Sequence, residues 1–181
     1  MALPRVIPCL LLRRSGLVKS VKFKAPKYVG APINAIHIFN KKEVDEIMVL
    51  DIDASREKRE PNYTLIGDFA SECSMPLSYG GGITSVEQAK KIVQLGVEKI
   101  SLNTPVLDNP QLVRQISEEV GTSSTVVCID IKSNLLGRHK VYDVASSIRW
   151  TGLSNSLNWV LAKSLFNPLT ATEPNRGTIL T

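Results

Sequence analysis

Short apolar runs rich in Val, Ile and Leu alternate along this chain with longer stretches whose apolar residues recur every three or four positions. The first run, Arg5–Leu12, is apolar throughout, as a strand covered on both faces must be. A basic, glycine-containing loop is expected over Arg13–Lys27, then a helix over Pro32–Asn40 with Ile33, Ile36, His37 and Asn40 on successive turns. Glu46–Asp53, Met75–Tyr79, Lys99–Leu102 and Thr125–Ile131 read as further strands, and Pro61–Glu72 as a second helix. The third helix carries the clearest signals: Thr84 and Glu87 have capping-box spacing, Val86, Ala89, Ile92 and Val93 share a face, and Gly96 follows as a stop. Asn109-Pro110 opens a fourth helix, faced by Leu112, Val113 and Ile116 and ended by Gly121.

Strands and helices that alternate through short loops argue for parallel βαβ units in an α/β fold. The closed form is the eight-fold βα barrel, whose sites lie at the carboxyl ends of its strands; the open form is a doubly wound sheet. No G-x-G-x-x-G opens the first helix, which disfavours a dinucleotide fold. With 181 residues, 43% of them hydrophobic and 22% charged, the composition is that of one ordinary globular domain. No apolar run approaches the roughly 20 residues of a membrane span, and the arginines near the start follow the apolar stretch, so an unprocessed start and no membrane partner are expected. The net charge of +5 is spread out and aromatics make up only 6%, so no nucleic-acid stripe is expected. Cys9, Cys73 and Cys128 form neither a metal spacing nor a disulfide framework, which predicts buried thiols in a reducing cytoplasm.

The candidate chemistry lies at the strand ends. Alternation puts Asp51 and Asp53 on one face at the end of the second strand, and Asp130 near the end of the fifth. Each is either a tuned acid or base or a strand-ending Asp that accepts backbone N–H groups. Gly80-Gly81-Gly82 after the third strand and Asn103-Thr104 after the fourth are a phosphate cradle or simply tight turns. At the opposite ends, Arg5, Glu46 and Lys99 each begin an apolar run: a charged ring closing a barrel floor, or separately solvated charges.

Taken together, these residues resemble the cyclase subunit of imidazole glycerol phosphate synthase. The anchors are Val6-Ile7-Pro8-Cys9-Leu10, Leu17-Val18-Lys19, Leu50-Asp51-Ile52-Asp53-Ala54-Ser55, Tyr79-Gly80-Gly81-Gly82-Ile83, the run Gly96 to Thr104, and Val127-Cys128-Ile129-Asp130, spanning about Arg5 to Val141. The resemblance implies a (β/α)8 barrel in the cytoplasm, paired with a glutamine amidotransferase that feeds it ammonia for reaction with a phosphorylated ribonucleotide. It implies no cofactor and no metal. It makes Asp130 one of two catalytic acid/base aspartates, Lys19 and Asp51 substrate contacts, and Gly81, Gly82, Asn103 and Thr104 a phosphate site. Arg5, Glu46 and Lys99 become three of the four members of a charged ammonia gate.

Two departures modify this expectation. Leu11 stands where the family has its other catalytic aspartate, and leucine transfers no proton. Leu11 and the run Lys-Phe-Lys-Ala-Pro-Lys-Tyr-Val from Lys22 to Val29 resemble paralogues of surface-polysaccharide (O-antigen) clusters, which are thought to conduct ammonia for sugar amidation. The second departure is the end of the chain: residues 1–141 read as the first half of a barrel, strands one to five, and 142–181 as an irregular tail. Back-translated from Asn158 to Ile179 and read from the third base of the Asn158 codon, permitted codons spell Leu-Gly-Ala-Gly-Glu-Ile-Leu-Val-Gln-Ser-Ile-Asp-Arg-Asp-Gly-Thr-Lys-Gln-Gly-Tyr-Asp. That is the family's sixth strand and second phosphate loop, which predicts a frameshift with residues lost after Thr151-Gly152-Leu153. A half-barrel would expose the edges of strands one and five and be oligomeric or partly molten. The functions in play are a histidine-pathway cyclase, an ammonia-channelling partner, and an inactive remnant.

Overall fold

The computed structural model describes residues 5–21, 24–128, 131–133, 139–142 and 149–150, and within them each apolar run yields a strand. The elements are β1 Cys9–Arg13, β2 Gly16–Val21, β3 Lys24–Gly30, α1 Pro32–Lys41, β4 Ile47–Asp51, α2 Tyr63–Glu72, β5 Leu77–Gly80, α3 Val86–Gln94, β6 Lys99–Leu102, α4 Thr104–Asp108, α5 Pro110–Val120, β7 Thr125–Val127, β8 Ile131–Ser133, β9 His139–Tyr142 and β10 Arg149–Trp150.

The chain divides into two units, Met1–Ile100 and Ser101–Thr181. In the first, the strands run in the order β3-β2-β1-β4-β5, with the start of β6 next. Parallel pairing joins β1 to β4 and β4 to β5, with α1 and α2 as crossovers. Here the expected βαβ units are present, and Ile36, Ile47, Val49, Ile66 and Phe69 are buried in their core. In the second unit the Cys128 N–H donates to the Leu102 carbonyl at 2.8 Å. The same unit carries the antiparallel set β10-β9-β8. Most of the tail lies outside the described residues, as does Asp130.

Three expectations are corrected. The first strand starts at Cys9, not Arg5. The segment expected as a basic loop is an antiparallel hairpin: β1 turns through Arg14, with φ of 57°, into β2, and β2 pairs with β3 through two register shifts. Its alternation is masked in the sequence by lysines and by Pro26, which β3 tolerates because it is the edge strand. Finally, the expectation of buried thiols fails for Cys9, which is exposed; Cys73 is half-buried and Cys128 buried.

Helix starts follow local polar chemistry, shifted slightly from the sequence expectation. The cap of α3 is Ser85, whose Oγ accepts the Gln88 N–H at 3.3 Å, while Gln88 Oε1 accepts the Thr84 N–H at 2.7 Å. The return contact thus comes from Gln88 rather than Glu87 and reaches Thr84, one residue ahead of the Ser85 cap, a variant of the capping box. Asn62 Oδ1 caps α2 by accepting the Leu65 N–H at 3.2 Å. The single-turn helix α4 was not foreseen; Pro105 fits its first turn, where a missing N–H costs nothing.

Two measurements test this description. Ser85→Ala should cost about 1 kcal/mol in urea denaturation, and Thr84→Ala clearly less; the reverse order would restore the Thr84 cap. Burial pushes the Cys73 thiol from about 9 up to about 11. The unfolded chain then loses this proton first, so the stabilisation is intact below pH 9 and is lost as pH rises toward 11. Cys73→Ala should flatten the fall in melting temperature across that window, and an unchanged slope would contradict the burial.

Candidate functional site

Alternation and register sort the first unit's strand residues into two faces. Met48 pairs with Ser78 and Cys9, and Leu50 with Gly80 and Leu11, so these share one face. Ile47 with Leu77 and Val49 with Tyr79 share the other, which also takes Asp51 by alternation. On this second face burial, then the Asp51 charge, hold the Tyr79 hydroxyl above the ordinary range, against the opposing pull of Arg59. That hydroxyl is buried and, among the described residues, finds no hydrogen-bond partner.

At the amino ends, Arg5, Glu46 and Lys99 converge. Glu46 has a side chain 2% exposed, and its Oε2 accepts from Arg5 Nη2 at 3.1 Å and from Lys99 Nζ. Its Oε1 accepts from the fully buried Ser78 hydroxyl at 2.5 Å. All of these groups are in the first unit, so the three residues read as a ring form one ion cluster. Ser78 was missed, although a Ser between Leu77 and Tyr79 in a buried run was a visible signal.

At the carboxyl ends, Asp51 is buried and accepts the backbone N–H groups of Asp53 and Ala54 at 3.2 and 3.1 Å. Arg59 Nη2 reaches both of its oxygens at 3.3 Å. This carboxylate thus folds the loop from 51 to 59. Gly81 and Gly82 pack on that loop: a Cβ on Gly81 would meet the Asp51 carbonyl at 2.4 Å, and one on Gly82 the Arg59 carbonyl at 2.6 Å. Both glycines have positive φ, 118° and 73°. Ser55 Oγ accepts the Gly82 N–H at 3.4 Å.

Asp53 does not share Asp51's surroundings. Its Oδ2 accepts from Arg13 Nε at 2.7 Å, across from the end of β1. Sequence reasoning missed Arg13, Arg56 and Arg59 as its and Asp51's partners. Leu11 is half-buried on the face of Leu50 and Gly80. Lys19 is exposed on β2, opposite Lys27 of β3. Asn103 and Thr104, half-buried, belong to the second unit; Asn103 precedes α4, and its carbonyl accepts the Val106 N–H at 3.0 Å. Among the described residues no group of His, Cys, Asp and Glu is placed to hold a metal ion, and no helix is long and apolar enough to cross a membrane.

A family model described as histidine biosynthesis protein matches residues 5–161. The chain belongs to the histidine biosynthesis protein family. The family's fold is the (β/α)8 barrel, and its members similar to this chain are HisF-like. The chain is 59% identical over 133 residues to "Putative imidazole glycerol phosphate synthase subunit hisF3" of Vibrio vulnificus, covering 74% of this chain and 51% of the relative. A protein of Pseudomonas aeruginosa named as the hisF2 subunit is 59% identical over 138 residues, covering 76% and 55%. "Imidazole glycerol phosphate synthase subunit HisF" of Lactococcus lactis is 40% identical over 140 residues, covering 77% and 53%. The chain spans about half the length of the curated relatives it matches.

In this member of the family, Gly81→Ala should destabilise by about 2 kcal/mol or more, because backbone strain and a backbone clash coincide. Gly67→Ala, where a Cβ meets only Leu95 at 3.7 Å, is the control and should not destabilise. Equal urea midpoints for the two variants would contradict the packing of Gly81 on the Asp51 loop.

Proposed function

We propose that the chain is a HisF-type cyclase subunit of imidazole glycerol phosphate synthase. Ammonia released from glutamine by an amidotransferase partner enters past Arg5, Glu46 and Lys99. It reaches a phosphorylated ribonucleotide held at the opposite strand ends, and the products are imidazole glycerol phosphate and aminoimidazole carboxamide ribonucleotide. The observation that carries this reading is the buried Glu46 carboxylate with Arg5, Lys99 and Ser78 around it. A carboxylate removed from water is tolerated only with such partners, and here the cluster sits on the face that also holds Leu11, at the amino ends of the strands. In this reading Lys19 and Asp51 contact substrate, Gly81, Gly82, Asn103 and Thr104 hold one phosphate, and Asp130 transfers the proton.

Leu11 favours a second reading, in which the chain conducts ammonia to an amidotransferase-coupled sugar amidation for O-antigen synthesis. The face carrying Leu11, Leu50 and Met48 is apolar above Glu46, which suits passage of a neutral molecule better than proton transfer. In both readings residues 1–141 supply the first half of a barrel in a cytoplasmic protein and 142–181 are a shifted-frame tail; a third reading makes the chain an inactive remnant.

Sequencing the gene through the codons for 142–181 should reveal an intact alternative frame, and its absence would remove the frameshift. The frame-repaired protein then separates the two activities. Leu11→Asp should raise ammonium-dependent turnover of the ribonucleotide by about 10²-fold or more if the cyclase reading holds. Failure of both the repaired gene and its L11D variant to rescue a histidine auxotroph would eliminate that reading.

A further inference from the structure

Nine cationic side chains and no carboxylate lie between Met1 and Lys42. Cations in that stretch must find counter-charges elsewhere in the fold. Arg5 finds Glu46, and Arg13 finds Asp53. Each carboxylate carries a second cation, Lys99 at Glu46 and Arg56 at Asp53.

Asp53 is a buried carboxylate, its side chain 6% exposed, with Arg13 Nε at 2.7 Å from Oδ2 and Arg56 Nη1 at 3.7 Å from Oδ1. Two guanidinium groups thus flank one carboxylate, and a net positive charge remains. Arg13 spends only its Nε–H on Asp53; among the described residues its two Nη groups make no hydrogen bond. A guanidinium placed for structure alone is commonly satisfied through its fork, by a bidentate carboxylate. Here the fork is left over, on a side chain 45% exposed. By alternation Arg13 lies on the face of Leu11, Leu50 and Gly80, one step nearer the strand's carboxyl end than Leu11.

We propose that Arg13, aimed by Asp53 and reinforced by Arg56, is a recognition site for a phosphate group of a small-molecule ligand at the carboxyl ends of β1 and β4. Fork geometry and residual positive charge match a phosphate oxygen pair. The site uses side chains rather than the Gly81-Gly82 backbone and does not depend on which reaction the chain performs. Asp53 acts as a positioning residue: it subtracts charge yet fixes the guanidinium, trading bulk attraction for orientation.

That trade supplies the test. The full chain is titrated calorimetrically with inorganic pyrophosphate, orthophosphate and acetate, each variant's fold being checked by circular dichroism. Pyrophosphate should bind, orthophosphate more weakly and acetate not measurably. Arg13→Gln should weaken pyrophosphate at least tenfold, and Arg13→Lys, which keeps the charge but not the fork, severalfold. If R13Q does not fold, R13K carries the measurement. Asp53→Asn should also weaken binding, although it removes a negative charge; a site working by net charge alone would bind more tightly. The proposal is overturned if the unaltered chain binds no pyrophosphate, if acetate binds as well, if the Arg13 variants bind unchanged, or if D53N binds more tightly.

Discussion

The Glu46 carboxylate is the group on which the first unit's arrangement turns. Taking a carboxylate out of water costs several kcal/mol unless partners replace its hydration, and its partners come from three other places in the chain: Arg5 ahead of β1, Ser78 in β5 and Lys99 at the start of β6. One buried charge thereby fixes four segments relative to one another. It also fixes register. A one-residue slip of β5 would turn Ser78 to the other face and bring Tyr79 against the carboxylate, leaving a lone pair unanswered in a dry interior. The ion cluster is thus a structural clamp whatever passes it, and any route for ammonia has to work against that clamp.

Backbone geometry does the equivalent work at the other ends of the strands. Asp51 gathers two backbone N–H groups and Arg59, and the loop so formed presents carbonyls against which only glycine fits at 81 and 82. The two glycines and the aspartate are one packed unit rather than three independent site residues. A ligand using the Gly81-Gly82 backbone would therefore bind to a surface already held rigid, and preorganisation of that kind lowers the ordering cost of binding.

The βαβ skeleton was legible because its signals are local: β4, β5 and β6 are short, mainly apolar segments, and α3 and α5 carry one-sided apolar faces with glycine stops. Where signals compete, the sequence misleads. Lysines in β2 and Pro26 in β3 hid a hairpin whose pairing depends on contacts with β1. At α3, Thr84 and Ser85 both offer a hydroxyl, and Gln88 rather than Glu87 decides between them. For the site, the convergence of Arg5, Glu46 and Lys99 could be suspected from their places at strand starts. The roles of Ser78 and Arg13 could not be assigned that way, since pairings at a sequence distance of 32 or 40 residues are set by strand register rather than by spacing.

Leu11 and Arg13 are best understood together. Two residues along a strand are about 7 Å apart on one face, within the reach of a guanidinium. A carboxylate at position 11 would compete with Asp53 for Arg13 and draw it along β1 toward the strand interior. With leucine there, no acidic group stands between Met1 and Lys42 to bid for that charge, and Arg13 goes to Asp53 across the strand ends. A carboxylate at position 11 would thus do more than add a proton-transferring group. It would compete for the neighbouring cation, whereas leucine leaves Arg13 to Asp53 at the carboxyl end of β1.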